Sequence, residues 1–376
     1  MVEEIITALS RIRWLFVIAR NSAFTYKGKP VDVKQVGREL GVRYVLEGSV
    51  RKAGNRMRIT SQLIDTATGA HIWADRIDGA LDDIFELQDQ VASSVAGAIE
   101  PRLRQSETER SSRKRTDSLD AYDCYLRALA LRNNVYVEVD ENVRSAIALL
   151  KKALAIDPNY APAAASIGWC RGHQWMNGRI PPTETEIAEA VALSRQVIET
   201  ERNDPDALWM AGYTLFVFAG ESGVAVAAAD RALTLNCNSA HAWMMRGLAT
   251  MFDAPEVAIE AFQHAIRLSP IDHQRRAFTF GISMAHLRAR RYDDALDWAE
   301  QTLRIAPGYR LAHRNKAVAC AYLNRLAEAR SAIDELVAFQ PGQTIGSFKL
   351  QWARIMPPEM MDDFVDGLRK AGMPEE

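Results

Sequence analysis

Apolar residues recur at helical spacing over most of the chain, and the clearest example lies at residues 239–270. There the spacing predicts two short helices packed as a hairpin, which Pro270 ends because proline cannot continue a helix. Similar segments end at six positions along the chain: Pro158, Pro205, Cys237, Pro270, Pro307 and Pro341. The intervals between these positions are 47, 32, 33, 37 and 34 residues. A period of about 34 residues indicates an array of stacked helical hairpins.

A small residue stands twelve positions before five of these six ends, where two helices are expected to cross. A larger side chain there would overpack the crossing by about 1–3 kcal/mol. These residues are Ala146, Ala225, Ala258, Ala295 and Ala329. The longest interval departs from the regular spacing, since RGHQWMNGRIPPTETE (171–186) predicts a long loop. Within it, Thr183 and Glu186 form a capping box that restarts the helix.

Alternation of apolar and polar residues distinguishes the N-terminal part of the chain. Val42–Val50, Met57–Asp65 and His71–Ile77 predict three strands of an antiparallel meander with one face toward helices. The continuous apolar run Trp14–Ala19 is long enough for a further, buried strand.

Three helices accompany these strands in the prediction. The residues Val2–Ile12 place apolar side chains on one face, and a long helix from Leu81 carries Val91, Val95 and Ile99 on one stripe. Asp32 caps a short helix that Gly41 ends. The predicted fold class is therefore an α+β N-terminal domain, an antiparallel meander with helices, followed by an all-α solenoid.

The N-terminal stretch from EEIITALSRIRWLF to VASSVAGAIEP, in its order of helices and strands, resembles the TolB-type amino-terminal domain. The hairpin array, with its period and small crossing residues, resembles tetratricopeptide repeats. This combination is similar to the C-terminal region of bacterial class III adenylate cyclase-like signalling proteins. The resemblance implies an effector ahead of these domains, either an adenylate cyclase or a winged-helix DNA-binding domain, with a membrane segment between in some members.

The same resemblance implies an earlier strand of the type IAVLPF, which has no counterpart in this sequence. We therefore expect that Met1 is a truncated or misassigned start. The predicted organisation is a TolB-type domain at 1–104, a polar linker at 105–118, tetratricopeptide-like repeats at 119–345 and C-terminal capping helices at 346–376.

Charge and composition bear on the partners and the location expected for the chain. The net charge of −2 gives no basic footprint, so we expect no nucleic-acid binding by this region. No apolar run approaches the ~20 residues that a membrane helix needs. The acidic start is unlike a signal peptide, so the chain as written is expected in the cytoplasm. A longer form with an upstream membrane helix would place it in the periplasm.

Motifs of phosphate-binding loops, dinucleotide-binding folds and zinc hydrolases are absent from the sequence, and we predict no catalytic, cofactor-binding or metal-binding residue. The first helices of the repeats are expected to line a groove that binds a protein or peptide. Arginine with aromatic residues suits an acidic peptide or a C-terminal carboxylate. The candidates are Trp243, Arg246, Arg276, Phe280 and Arg314. The alternative is that the aromatic residues form the core between repeats and the arginines are solvated.

These observations predict a non-catalytic interaction or sensory module of a bacterial signalling protein. Two alternatives stay open at this point. In the first alternative, the chain is the C-terminal regulatory part of a class III adenylate cyclase. In the second, it is the C-terminal regulatory part of a winged-helix transcriptional regulator.

Overall fold

The chain forms two compact units, Met1–Lys114 and Arg115–Glu376. The computed structural model describes residues 2–12, 15, 17–18, 22–23, 25–26, 28, 31–53, 56–80, 84–112, 120–133, 139–177, 181–269, 272 and 274–376. Pro270, which the sequence predicts as the end of a hairpin, lies outside the described residues.

The first unit contains a three-stranded antiparallel sheet, as predicted. Strands β1 (Tyr44–Ala53), β2 (Arg56–Asp65) and β3 (His71–Ala80) follow one another in the order β1-β2-β3. Residue Val50 pairs with Ile59, and Ile59 with Ile77, so alternate side chains fall on one face.

Among its described residues, this unit contains the helices α1 (Val2–Ser10), α2 (Val33–Leu40) and α3 (Ile84–Ser112). The predicted caps of α2 are confirmed. Asp32 Oδ1 accepts a hydrogen bond from the Lys34 amide at 2.9 Å, and Gly41 ends the helix at a φ of 65°.

The core of the first unit forms between the sheet and α3. The helix buries one apolar stripe against β2, because alternate β2 side chains point toward it. The buried residues of this cluster are Met57, Ile59, Leu63, Val91, Val95, Ile99 and Leu103.

Two predictions for the first unit need correction. Leu15, Val17 and Ile18 form no strand, and the other residues of Trp14–Ala19 lie outside the described part. The α3 helix continues to Ser112, so residues 105–112 of the predicted linker are helical. Polar composition alone does not end a helix whose residues are good helix formers.

In the second unit, the described residues form six helical hairpins. Each has a first and a second helix: α4 (Ala121–Asn133) and α5 (Val139–Ile156), α6 (Ala161–Asn177) and α7 (Glu184–Thr200), α8 (Pro205–Ala219) and α9 (Ser222–Leu235), α10 (Ala240–Thr250) and α11 (Pro255–Leu268), α12 (Arg275–Arg288) and α13 (Tyr292–Ile305), and α14 (Arg310–Tyr322) and α15 (Leu326–Phe339). The predicted solenoid of stacked hairpins is confirmed.

The helix crossings are where the sequence predicts them. All five small residues, from Ala146 to Ala329, are fully buried. Phe262 of α11 fills the space between Gly247 of α10 and Gly281 of α12, and a Cβ at either glycine would overlap its ring. The glycines are therefore needed for close approach of consecutive helices.

The irregular second hairpin differs in detail from the prediction. The capping box of Thr183 and Glu186 is confirmed, since each side chain accepts a hydrogen bond from the other residue's amide. The predicted loop is wrong in its first half, because residues 171–177 continue α6. Pro205 begins α8 instead of ending the preceding helix.

Two further helices follow the array, α16 (Ile345–Trp352) and α17 (Pro358–Lys370). Helix α17 packs on α14 and buries Met360, Phe364 and Leu368, as its apolar stripe predicts. Helix α16 does not simply extend the stack, since its side chains contact helices from much earlier in the array.

Candidate functional site

Five of the first helices pack side by side and form what we call the inner face: α6, α8, α10, α12 and α14. A cavity of about 60 Å³ lies on this face, with Tyr213, Phe280 and Trp352 among the residues around it. Pockets for small ligands typically have volumes of roughly 300–1,000 Å³. The inner cavity is thus too small for a drug-sized ligand as the chain stands.

Trp243 and Arg246 lie away from the inner face. The Trp243 indole Nε1 donates to the Cys237 carbonyl at 2.9 Å, and its ring centre is 4.4 Å from that of His264. Arg246 Nε donates to Asp230 Oδ1 at 2.8 Å. Asp230 and His264 belong to second helices, which together form what we call the outer layer. Trp243 and Arg246 therefore face the outer layer.

Arg276 and Phe280 project from α12 toward the inner face, and both are buried. The Arg276 guanidinium carbon lies 5.3 Å from the ring centre of Tyr309. Phe280 meets Tyr309 edge-to-face at 5.9 Å and lies 6.4 Å from Trp352. The structure therefore brings these two candidates together at Tyr309, whose ring contacts the Arg276 cation and the Phe280 ring.

Arg314 is the most deeply buried of the five candidates, with 2% of its surface exposed. Its Nη1 donates to Gln351 Oε1 at 2.8 Å, and its Nη2 donates to Gln343 Oε1. The guanidinium carbon lies 5.4 Å from the ring centre of Phe348. Burial and the nearby Arg310 lower the pKa of Arg314 well below its usual range.

Arg310 is a functional candidate that the sequence reasoning missed. Its Nη1 donates to Gln340 Oε1 at 3.0 Å, and its Nη2 donates to the Met176 carbonyl. Burial lowers the pKa of Arg310 to about 10, although Tyr309 and Asp140 act in the opposite direction. The sequence offers one signal for Arg310, because it lies four residues before Arg314 and residues four apart share one face of a helix.

The five predicted candidates therefore do not form one surface. Trp243 and Arg246 face the outer layer, whereas Arg276, Phe280 and Arg314 lie on the inner face. The expectation of solvated arginines does not describe Arg276 or Arg314, because both are buried. Glutamines Gln343 and Gln351, which contact Arg314, gave no signal in the sequence because their contacts depend on the path of the C-terminal segment.

In the described part of the chain, no three histidine, cysteine, aspartate or glutamate side chains are grouped as a metal ion requires. Within the same residues, no helix combines the length and the apolar character needed to span a membrane.

Comparisons with known proteins agree with this architecture. Residues 253–310 and 280–344 match the family model described as tetratricopeptide repeat. A relative from Rhizobium meliloti (strain 1021), named putative adenylate cyclase 3, is 42% identical over 205 residues. That alignment covers 54% of this chain and 34% of the relative, so the chain spans about a third of the length of that protein.

A solved structure shares the fold of the repeats. The APC/C hetero-tetramer Cut9-Hcn1 is 16% identical, with a TM-score of 0.51, and the superposition covers 71% of this chain and 52% of that one. YrrB, described as a TPR protein with an unusual peptide-binding site, is 19% identical with a TM-score of 0.34, over 52% of this chain and 93% of its own. The C-terminal region of this chain therefore carries tetratricopeptide repeats arranged as a helical solenoid.

Proposed function

We propose that this chain is a protein-interaction module of a bacterial signalling protein and that its inner face recognises the partner. The observation that carries the proposal is a set of buried arginines, Arg276, Arg310 and Arg314, on one face of stacked repeats. Solenoids use such continuous surfaces for binding because each hairpin adds a helix to the same face.

The charge of this face favours an acidic partner. The side-chain hydrogen bonds of Arg310 and Arg314 go to neutral amide and carbonyl oxygens, those of Gln340, Met176, Gln351 and Gln343. A buried guanidinium with neutral partners loses hydration that a carboxylate would replace through charge-assisted, bidentate hydrogen bonds. We therefore propose a partner segment rich in aspartate and glutamate or ending in a free carboxylate, with Phe280 contributing apolar contact.

Peptide binding to the full chain tests this proposal. We expect a fluorescein-labelled oligoglutamate peptide to bind saturably, and a matched oligoglutamine peptide not to bind, in fluorescence anisotropy titrations. Arg276→Gln should weaken binding about tenfold, which is the effect of losing one hydrogen bond to a charged group. Arg246→Gln on the outer layer is the control and should leave the affinity unchanged. Equal binding of both peptides would contradict the proposal.

A second candidate is the regulatory part of a class III adenylate cyclase, and the relative named putative adenylate cyclase 3 favours it. We infer that cyclic AMP synthesis in such a protein would belong to a domain outside the repeats. Incubation of this chain with ATP and Mn²⁺ should therefore give no cyclic AMP. Detectable cyclic AMP would contradict a non-catalytic role.

For the first unit we propose a TolB-type domain spanning residues 1–104. Three antiparallel strands followed by a long helix packed on one sheet face support this proposal. The long helix itself continues beyond residue 104, to Ser112.

A further inference from the structure

The C-terminal segment, residues 343–356, occupies the inner face. It contains α16 and the turn that follows, and it leaves the array after α15. Trp352 lies against Phe252 and Phe280, which belong to the region of the fourth and fifth hairpins. Phe348 and Trp352 are fully buried there. The segment thus covers the surface on which a partner of the repeats would bind.

Polar contacts attach this segment to both halves of the array. Gln351 Oε1 accepts from Arg314 in the last hairpin, and Gln351 Nε2 donates to the Trp175 carbonyl at 2.7 Å in the second. Arg354 Nη1 donates to the Phe218 carbonyl at 3.2 Å. One short segment therefore connects first helices that are far apart in the chain.

The segment satisfies the hydrogen-bonding groups of Arg314 incompletely. Gln343 and Gln351 present neutral amide oxygens to Arg314, where an acidic side chain would present a charge. In the described part of the chain, the buried Nε atoms of Arg310 and Arg314 and the indole Nε1 of Trp352 have no hydrogen-bond partner. Each such group retains part of its desolvation cost, which lowers the stability of the covered state.

We propose that residues 343–356 are an internal ligand of the inner face and that an acidic partner segment binds by displacing them from Arg314. This inference rests on the proposed function, because it describes the regulation of the same site. Glutamine amides imitate the geometry of carboxylates at Arg314 without their charge. The internal ligand therefore binds well enough to close the face and weakly enough to be replaced.

Displacement makes the affinity for the partner depend on how often the face is open. The measured Kd equals the intrinsic Kd divided by the open fraction, so a change in the segment's own stability shifts partner affinity in the opposite direction. A purely structural end cap would not behave in this way, since weakening it would reduce or leave unchanged the binding of a partner.

Two substitutions at Gln343 give opposite predictions. Gln343→Glu adds a carboxylate beside Arg314, and it should raise the thermal midpoint and weaken binding of the labelled oligoglutamate about tenfold. Gln343→Ala removes one contact and should tighten binding about tenfold. Lys349→Ala changes an exposed residue of α16 and serves as the control with unchanged affinity. Gln343→Glu keeps the test decisive if the alanine variant fails to fold.

Hydrogen exchange provides an independent readout. Saturating oligoglutamate should increase the exchange of the amides of residues 345–352 in the wild-type chain, because the helix leaves its covered position. Unchanged exchange with bound peptide, or equal affinities of both Gln343 variants, would overturn the internal-ligand proposal and leave the proposed function standing. Absence of oligoglutamate binding to the wild type and to every variant would instead reject the proposed function.

Discussion

The first and second helices of the hairpins differ sharply in how much of each is buried. In α8, every residue except Asp206 and Ala219 is buried, and in α14 every residue except Lys316 and Tyr322. In the second helices α9 and α15 burial is confined to one stripe, Ala225 to Ala232 and Ala329 to Leu336 respectively. The two layers of one repeat therefore experience different environments.

This difference shows that the inner face is closed by the chain itself. A first helix packs against its own second helix and against neighbouring first helices, and the remaining side would face solvent in an open solenoid. Here that side is covered by the C-terminal segment. Arginines on the two layers differ accordingly, since Arg246 pairs with a carboxylate on the outer layer and Arg314 is buried against amides.

The largest expected contrast between the layers comes from phenylalanine truncation. Phe278 of α12 is 0% exposed, whereas Phe339 of α15 is 47% exposed. Phe278→Ala should lower the free energy of unfolding by about 3–5 kcal/mol through loss of transfer energy and cavity formation. Phe339→Ala should lower it by about 1 kcal/mol or less. Urea denaturation of the two variants measures both values, and similar losses would contradict the layer difference.

A glycine pair gives the next largest contrast. Gly281→Ala on the inner layer should destabilise the chain by about 1–3 kcal/mol, because the new Cβ would overlap the Phe262 ring. Gly223→Ala on α9 meets no neighbouring atom and should stabilise it by about 0.5 kcal/mol through helix propensity. Thermal unfolding checks the two signs. A stabilising Gly281→Ala would disprove the tight crossing.

A smaller effect concerns the pH dependence of stability. Burial lowers the pKa of His313 on α14, and Lys316 acts in the same direction, while Glu335 and the Pro307 carbonyl, 2.7 Å from Nε2, oppose it. The imidazole of His313 therefore takes up a proton more readily in the unfolded chain than in the folded chain. Stability from His313 is present above the ordinary value of 6.5 and is lost as pH falls from there toward the folded pKa.

Urea denaturation at a series of pH values from neutral to mildly acidic measures this loss. The pKa values of His264 and His286 are lowered by burial as well, so all three histidines act in the same direction. His313→Gln should partly flatten the dependence of the free energy of unfolding on pH. An unaltered slope in that variant would assign the pH dependence to other groups.

The smallest expected effect is on the outer layer. Arg246 and Asp230 form a partly exposed ion pair, with 30% and 51% of their side chains exposed. Removing it by Arg246→Ala should cost about 0.5 kcal/mol, because solvent screens the pair. A double-mutant cycle with Asp230→Ala measures the coupling, which should decrease further at high salt. Coupling above about 2 kcal/mol would mean that the outer layer is less solvated than its exposure indicates.

Local patterns in the sequence determined the elements and most of their pairing. The alternation in Met57–Asp65 specified a strand with one buried face, Asp32 and Gly41 specified both ends of a helix, and Ala258 marked a helix crossing. These features depend on interactions within one element or between neighbours in the chain, so a few residues contain the required information.

Tertiary structure decided which arginines are buried and what covers them. Arg246 and Arg314 have the same chemistry and both lie on first helices, but the partner of Arg246 is Asp230 on a second helix, whereas Gln351, the partner of Arg314, comes from the C-terminal segment. The contact between Gln351 and the Trp175 carbonyl joins residues 176 positions apart. Helical periodicity describes one face of one element, whereas closure of the inner face depends on how many hairpins stack and how far each rotates from the last. That accumulated geometry is a property of the whole array and is not written in any single repeat.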